Sequence, residues 1–353
     1  MKGKFVILDN SRMGSWDAFV RAHQAGSVYH TSAWRSVIET AYGHEPLYFA
    51  LQDESGCITA GLPVFLVRSR LTGTRFSTLP CAQSCNPLVE EERHYNALKQ
   101  GILEYMTAVN IKMWEMKTTE SFTFEKSCTN VSPDGFLTHL LRIDRPAADL
   151  FNALHKSSIQ RAIGKARRSG LVLRRCDSRE GVKPFVRLYA QMRRENGLLP
   201  QPGRFFEALW DILGREKMIE ILYADYEGRP VSAIMLLKYK ETVVYEYGAT
   251  EEGFHRLSPS PFLLWEAILQ ASGEGYGTFD FGRTAVSEEG LVQFKNRWGT
   301  RQQRLPYYEM ASRGTMNSMR RDGRAKSIMA FAMRILPDSL CNAAGRLLYK
   351  HLV

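Results

Sequence analysis

One order of elements occurs twice along this 353-residue chain, and that repeat constrains the fold more than any single motif does. In the first half, LYFALQDESGCITAGLPVFLV reads as a β-hairpin, with strands at Leu47 to Leu51 and Ile58 to Val67 around the turn Asp53 to Gly56. In the second half, EILYADYEGRPVSAIMLLKYK repeats it, with strands at Glu220 to Asp225 and Val231 to Tyr239. A helix and a strand then follow in both: Tyr95 to Val109 with Lys112 to Lys117, and Phe262 to Ser272 with Thr278 to Phe281. A repeat this long predicts two fused domains of one fold, because solenoids use shorter and more numerous units. The predicted boundary lies at Ile143 to Pro146, giving domains 1–143 and 144–310 and a tail 311–353, with Asp144 as the expected cap of the joining helix.

Composition narrows the partners. Hydrophobic residues at 44% and charged residues at 24% are ordinary for a globular protein with a real core. The net charge of +10 favours anionic partners such as a nucleic acid, a phosphorylated substrate or an acidic membrane surface, without choosing among them. No run approaches the ~18 apolar residues of a spanning helix, and the short apolar run in MKGKFVILDN reads as a first strand, not a signal segment. Six scattered cysteines, with only Cys81 and Cys85 close together, fit reduced cytoplasmic thiols and no metal site.

The chemistry concentrates in TFDFGRTAVSEEGLVQFKNRWGTRQQRLPYYEM, residues 278–310. Asp280 alternates with Phe279 and Phe281, so a carboxylate stands at the end of a core strand. A helix from Leu291 to Trp298 follows, and a closing strand from Gln303 to Met310. Phe294 and Trp298, four apart, should share a buried face that aims Lys295 away from it. Tyr245 and Tyr247 should share one strand face, with Glu246 on the other. The segment Pro146 to Ser169 reads as one helix joining the halves, with Arg161, Lys165 and Arg168 as a basic stripe: either a solvated face or a seat for phosphates. A helix over SAWRSVIETAYG should be capped by Ser32 and ended by Gly43.

Three segments carry a family resemblance: HTSAWRSVIETAYGHEPLYF, SSIQRAIGKARRSGLVLRR, and FDFGRT with GLVQFKNRWG and LPYY. Their order, over roughly Val28 to Met310, resembles the GNAT acyltransferase fold, and its duplication resembles the FemAB family of cell-wall aminoacyl transferases. The length and tail look closest to a FemAB-related branch associated with exosortase and exopolysaccharide loci. The resemblance implies an α+β fold of two tandem GNAT-like domains, with mixed, mostly antiparallel sheets flanked by helices. It also implies transfer of an aminoacyl group from tRNA to an amine on a nucleotide- or lipid-linked envelope precursor, with no resident cofactor. On that reading Asp280 orients or deprotonates the acceptor, Lys295 neutralises a phosphate or an oxyanion, and the Tyr247 hydroxyl is a proton donor. Arg161, Lys165, Arg168, Arg283 and Arg297 are the expected anion contacts.

One departure bears on the donor. Acyl-CoA enzymes of this fold offer glycine-rich amides to a pyrophosphate at a helix N-terminus. Here that segment is His255-Arg256-Leu257-Ser258-Pro259-Ser260-Pro261, in which two prolines remove amide donors. The alternatives that remain are an acyl-CoA-dependent N-acyltransferase and a non-catalytic polyanion binder; DNA is not an expected partner. In the tail, Arg320, Arg321, Arg324 and Lys326 precede an apolar run from Ile328 to Leu336, and a short helix is expected over Leu340 to Leu352. Such a pair either packs back on its own domain or docks on the inner face of the membrane.

Overall fold

The computed structural model describes residues 3–119, 128–130, 135–311 and 336–352. The first half runs β1 (Lys4–Leu8), α1 (Met13–Ala22), α2 (Ser32–Tyr42), β2 (Glu45–Gln52), β3 (Ile58–Ser69), β4 (Gly73–Ser77), α3 (Glu92–Ala108), β5 (Met113–Lys117) and β6 (Cys128–Asn130). Next come β7 (Phe136–Arg142), α4 (Ala147–Ala153), α5 (Arg161–Arg168), β8 (Val172–Arg175), α6 (Val182–Glu195) and α7 (Gly203–Leu213). The second hairpin is β9 (Ile219–Tyr226) and β10 (Arg229–Tyr239), followed by β11 (Thr242–Thr250), α8 (Pro259–Gly273) and β12 (Thr278–Asp280). The chain continues through β13 (Thr284–Ala285), α9 (Glu289–Asn296), β14 (Arg301–Leu305), β15 (Tyr307–Ala311) and a terminal helix, Asp338–Leu352.

Among the described residues the first sheet has the order β1-β2-β3-β4-β5-β15-β6, and the second β13-β7-β12-β11-β10-β9-β8, with β14 also on β7. The repeat is visible in the pairing. In the first sheet β4 is antiparallel to β3 and parallel to β5. In the second, β11 is antiparallel to β10 and parallel to β12. Parallel neighbours need a crossover, and α3 and α8 supply it at equivalent places.

The chain forms two compact units, the first built on Met1–Phe136 and the second on Leu137–Gln303. The sheets trade strands across the expected boundary at residue 143. β7 pairs β12 antiparallel, setting Leu140 opposite Asp280, and so belongs to the second sheet. β15 pairs β5, Met310 opposite Trp114, and belongs to the first. The trade has a packing reason: Leu141 of β7 completes the second core together with Phe279 and Phe281. Pro306, which lacks an amide donor, splits the expected strand Gln303 to Met310 into β14 and β15.

Other local expectations shift. The helix expected over Pro146 to Ser169 is broken: Leu154 turns extended, Lys156–Gln160 forms a π turn, and only then does α5 begin. The Gln160 side-chain amide donates to the carbonyls of Phe151 at 2.9 Å and Leu154 at 3.2 Å, satisfying the broken end. Asp144 does not cap α4. Its carboxylate instead accepts from Arg142 at 2.7 Å. Thr31, not Ser32, caps α2, accepting from the Trp34 amide at 3.2 Å, and Gly43 ends it in the left-handed region as expected.

In the second unit Cys341 of the terminal helix is buried with Leu199, with Leu336, Ala344, Leu348 and Tyr349 packed around them. This stretch packs back on protein. The basic run at residues 320–326 and most of the apolar run after it lie outside the described residues. No helix among the described residues is long and apolar enough to cross a membrane.

Candidate active site

The site grows from the end of β12. This strand pairs β11 only at Thr242, Val243 and Val244, opposite Thr278, Phe279 and Asp280. Beyond Val244 the two parallel strands part, and Asp280 stands at the point of divergence. Its carboxylate accepts from the Thr138 hydroxyl of β7 and, at 2.8 Å, from the Gly282 amide. Burial pushes the Asp280 carboxyl up, against the opposing pull of those two donors and of Lys295.

Lys295 is the buried residue of α9, only 4% exposed, so it is no surface lysine. The face turned away from Phe294 and Trp298 does not meet solvent, because the loop after β12 covers it. The amine donates to the Gly282 carbonyl at 2.7 Å and the Arg283 carbonyl at 3.4 Å. Burial lowers it to about 8, while Asp280, Glu288 and Glu246 pull the other way. Gly282 therefore joins the pair, its amide bound to Asp280 and its carbonyl to Lys295.

That double role needs a left-handed backbone, and Gly282 has φ +74°. Gly282→Ala is expected to cost about 1 kcal/mol of stability and to lower transfer far more than that strain alone, since the spacing of Asp280 and Lys295 runs through this residue. Denaturant midpoints and single-turnover rates on the same variant check both parts.

Tyr247 does not join the pair. The β10–β11 register skips at Met235 and Leu236, which face Tyr247 and Tyr245, so Glu246 is bulged out and the expected alternation fails. Tyr245 packs against the core cluster that includes α5 and α8 residues, and burial pushes its hydroxyl up to about 12. Tyr247 instead meets the rings of Tyr189 at 5.4 Å and Phe206 at 5.4 Å, from α6 and α7. Its hydroxyl accepts from Gln201 at 3.4 Å. Glu246, read from the sequence only as the opposite face, acts electrostatically on Lys295.

The anion contacts divide. Arg283 is exposed beside Gly282, at the site. Arg297 ends α9, and its carbonyl accepts from the His155 amide at 2.9 Å. Arg161, Lys165 and Arg168 form the expected exposed stripe of α5 and, among the described residues, bond neither Asp280 nor Lys295. Two residues of the site went unread in the sequence: Thr138, which holds Asp280, and His139 beside it. A lone histidine in the apolar strand FLTHLLR carries no signal of its own.

Next to the diverging strands lies a cleft of about 690 Å³, lined among others by Arg194, Glu195, Tyr245, Glu252, His255 and Ser260. At its rim α8 begins with Pro259 and Pro261, and the Ser258 amide is already bound to the His255 carbonyl. The Ser260 hydroxyl is engaged with Thr250 at 2.8 Å. Few amides remain at this helix start to hold a pyrophosphate. No cluster of metal-ligating side chains occurs among the described residues.

Parallel strands joined by an α-helical crossover, with an antiparallel hairpin beside them, form a GNAT-type fold, and this arrangement occurs in both sheets. Residues 153–296 match the family model described as "Acetyltransferase (GNAT) domain". The chain is similar in structure to FemX, with a TM-score of 0.71 at 17% identity over 88% of this chain and 97% of that one. It is also similar to a tandem GNAT protein from the clavulanic acid biosynthesis pathway, with a TM-score of 0.57 at 11% identity over 87% and 98%. L-PGS from Bacillus licheniformis gives 0.54 at 10% identity over 93% and 98%. No curated protein sequence matches this one. The match to a GNAT acetyltransferase model is thus confined to residues 153–296, while the likeness in fold to FemX extends over 88% of the chain.

Proposed function

We propose that this chain is an acyl or aminoacyl transferase that modifies an amine or hydroxyl of a cell-envelope precursor, of peptidoglycan or exopolysaccharide, at the Asp280–Lys295 pair. The observation that carries the reading is the buried Lys295 amine, tied through one glycine to a carboxylate at the mouth of two diverging strands. Acyl transfer needs a group to take the acceptor's proton and a positive charge where the tetrahedral oxyanion forms. Asp280, its carboxyl pushed up by burial, suits the first task, and Lys295 the second.

An aminoacyl-tRNA is the favoured donor. The proline-broken start of α8 offers little to the pyrophosphate of CoA, and the net charge of +10 suits an RNA. The exposed α5 stripe of Arg161, Lys165 and Arg168 is a seat for acceptor or donor phosphates, with Arg283 and Arg297 nearer α9. The match to an acetyltransferase domain favours acyl-CoA as the second reading. The work of such an enzyme lies on the cytoplasmic side, where both donors are found.

The test is a mass measurement. Nucleotide-linked and lipid-linked envelope precursors are incubated with the chain and either aminoacyl-tRNA or acyl-CoA. An aminoacyl increment on the acceptor, absent with acyl-CoA, is the expected result. An acyl increment from CoA establishes the second reading, and no increment from either donor overturns the proposal.

A further inference from the structure

His139 is the buried titratable group that the transfer chemistry above leaves unused. It lies on β7 with no exposed surface, and neither ring nitrogen has a hydrogen-bond partner among the described residues. Buried polar groups are rarely left so, because the lost hydration is uncompensated. An apolar ring would suit the position better if packing alone decided it, since Leu141 along β7 and Phe281 across from it both belong to the second core.

The strand register places the ring. The His139 carbonyl accepts from the Phe281 amide at 2.9 Å, so His139 stands opposite Phe281 and faces the core side of the sheet. Thr138 and Leu140, flanking it, face the other side with Asp280. One residue beyond Phe281, the Gly282 carbonyl holds the Lys295 amine. The ring thus stands one residue along the pairing from the glycine that holds the ammonium, on the sheet face opposite Asp280. Burial first, and then Lys295 as the charged group that acts on the ring, hold His139 at about 4, hence neutral. Asp280, Glu246, Glu288 and Arg283 act on Lys295, not on the ring.

We propose that His139 is a positioning residue for Lys295, its neutral imidazole turning a ring lone pair toward the buried ammonium and keeping that amine charged at the transfer site. The proposal rests on Lys295 being the cation of that site. A ring beside a fixed positive charge presents its acceptor nitrogen, not its N–H, because the opposite tautomer points like partial charges at each other. Burial brings the Lys295 amine to about 8, so a further loss of about one unit would leave it only half charged at neutral pH.

Nitrogen-15 NMR of the full chain reads both groups directly, with the Lys295 amine and the His139 ring each assigned by its own variant. His139→Phe is expected to lower the Lys295 midpoint by about one unit, a tenfold loss of proton affinity. His139→Gln, whose side-chain oxygen can accept in the ring's place, is expected to recover most of it. Lys295→Met is expected to raise the His139 midpoint by about one unit or more. An unchanged Lys295 midpoint in His139→Phe overturns the proposal. Should that variant not fold, Lys295→Met decides alone: a raised His139 midpoint upholds the coupling and an unmoved one overturns it. Neither measurement needs turnover, so an error in the assigned reaction shows separately, in the mass assay.

Discussion

Lys295→Met is expected to lower transfer by about 100- to 1,000-fold while leaving the chain folded and no less stable. The rate effect follows from removing a preorganised positive charge from where the oxyanion develops, a loss typically worth that factor. The stability expectation comes from proton linkage. The Lys295 amine is depressed to about 8 in the folded state from 10.5, so the folded chain holds fewer protons than the unfolded one between those values. Stability therefore rises with pH across that window, and below about 8 the buried charge costs roughly 3 kcal/mol. Methionine, of similar length, removes that cost. It also leaves the carbonyls of Gly282 and Arg283 without their donor, at about 1–3 kcal/mol, so the two terms nearly cancel. Single-turnover rates and denaturant midpoints on the same variant test the pair of statements. A variant that loses activity in proportion to lost stability makes Lys295 structural. The wild-type rate should also fall as pH rises through about 8, where the amine loses its charge.

The fold was legible where signals are local. Apolar periodicity located both hairpins, and the repeated helix-then-strand order announced the parallel pairs that α3 and α8 make possible. What failed was non-local. Nothing in FLTHLLR or YYEMA says which sheet each strand joins; that is decided by the free edges of β12 and β5. The segment between Cys176 and Met218 yielded no elements to the sequence reading, yet it holds α6 and α7, whose aromatic rings enclose Tyr247.

The site was half legible for related reasons. Asp280 and Lys295 stood out as an acid at a strand end and a lysine in a basic helix, and the structure ties them through Gly282. The same helical spacing turned Lys295 away from the buried face of Phe294 and Trp298. Spacing reports only which face of a helix a residue shares, and here a loop from another element covers the second face. Tyr247 was drawn to the site by strict alternation, which one bulged residue, Glu246, undoes. His139 needs the β7–β12 register before it means anything.

The second large effect is expected in acid. His44 and His139, in different compact units, are both held at about 4, and burial is the leading cause in each. Arg75 adds to it at His44, outweighing the Lys350 carbonyl that favours the charged ring, and Lys295 adds to it at His139. In the unfolded chain both titrate near 6.5. Between 6.5 and 4 the unfolded state thus binds more protons, so stability falls as pH falls through this window. Each ring costs up to roughly 3 kcal/mol once pH is below about 4. Asp280 works in the opposite direction, since its raised carboxyl binds a proton more readily when folded, and it softens the loss in the second unit. Urea titrations at pH 7.5, 6 and 5 are expected to show the midpoint dropping steadily. His139→Phe, which cannot charge, should flatten the drop for the second unit and leave the first unit's share, set by His44, in place. A midpoint that holds level from pH 7.5 to 5 would mean that neither histidine is buried in solution as it is in this fold.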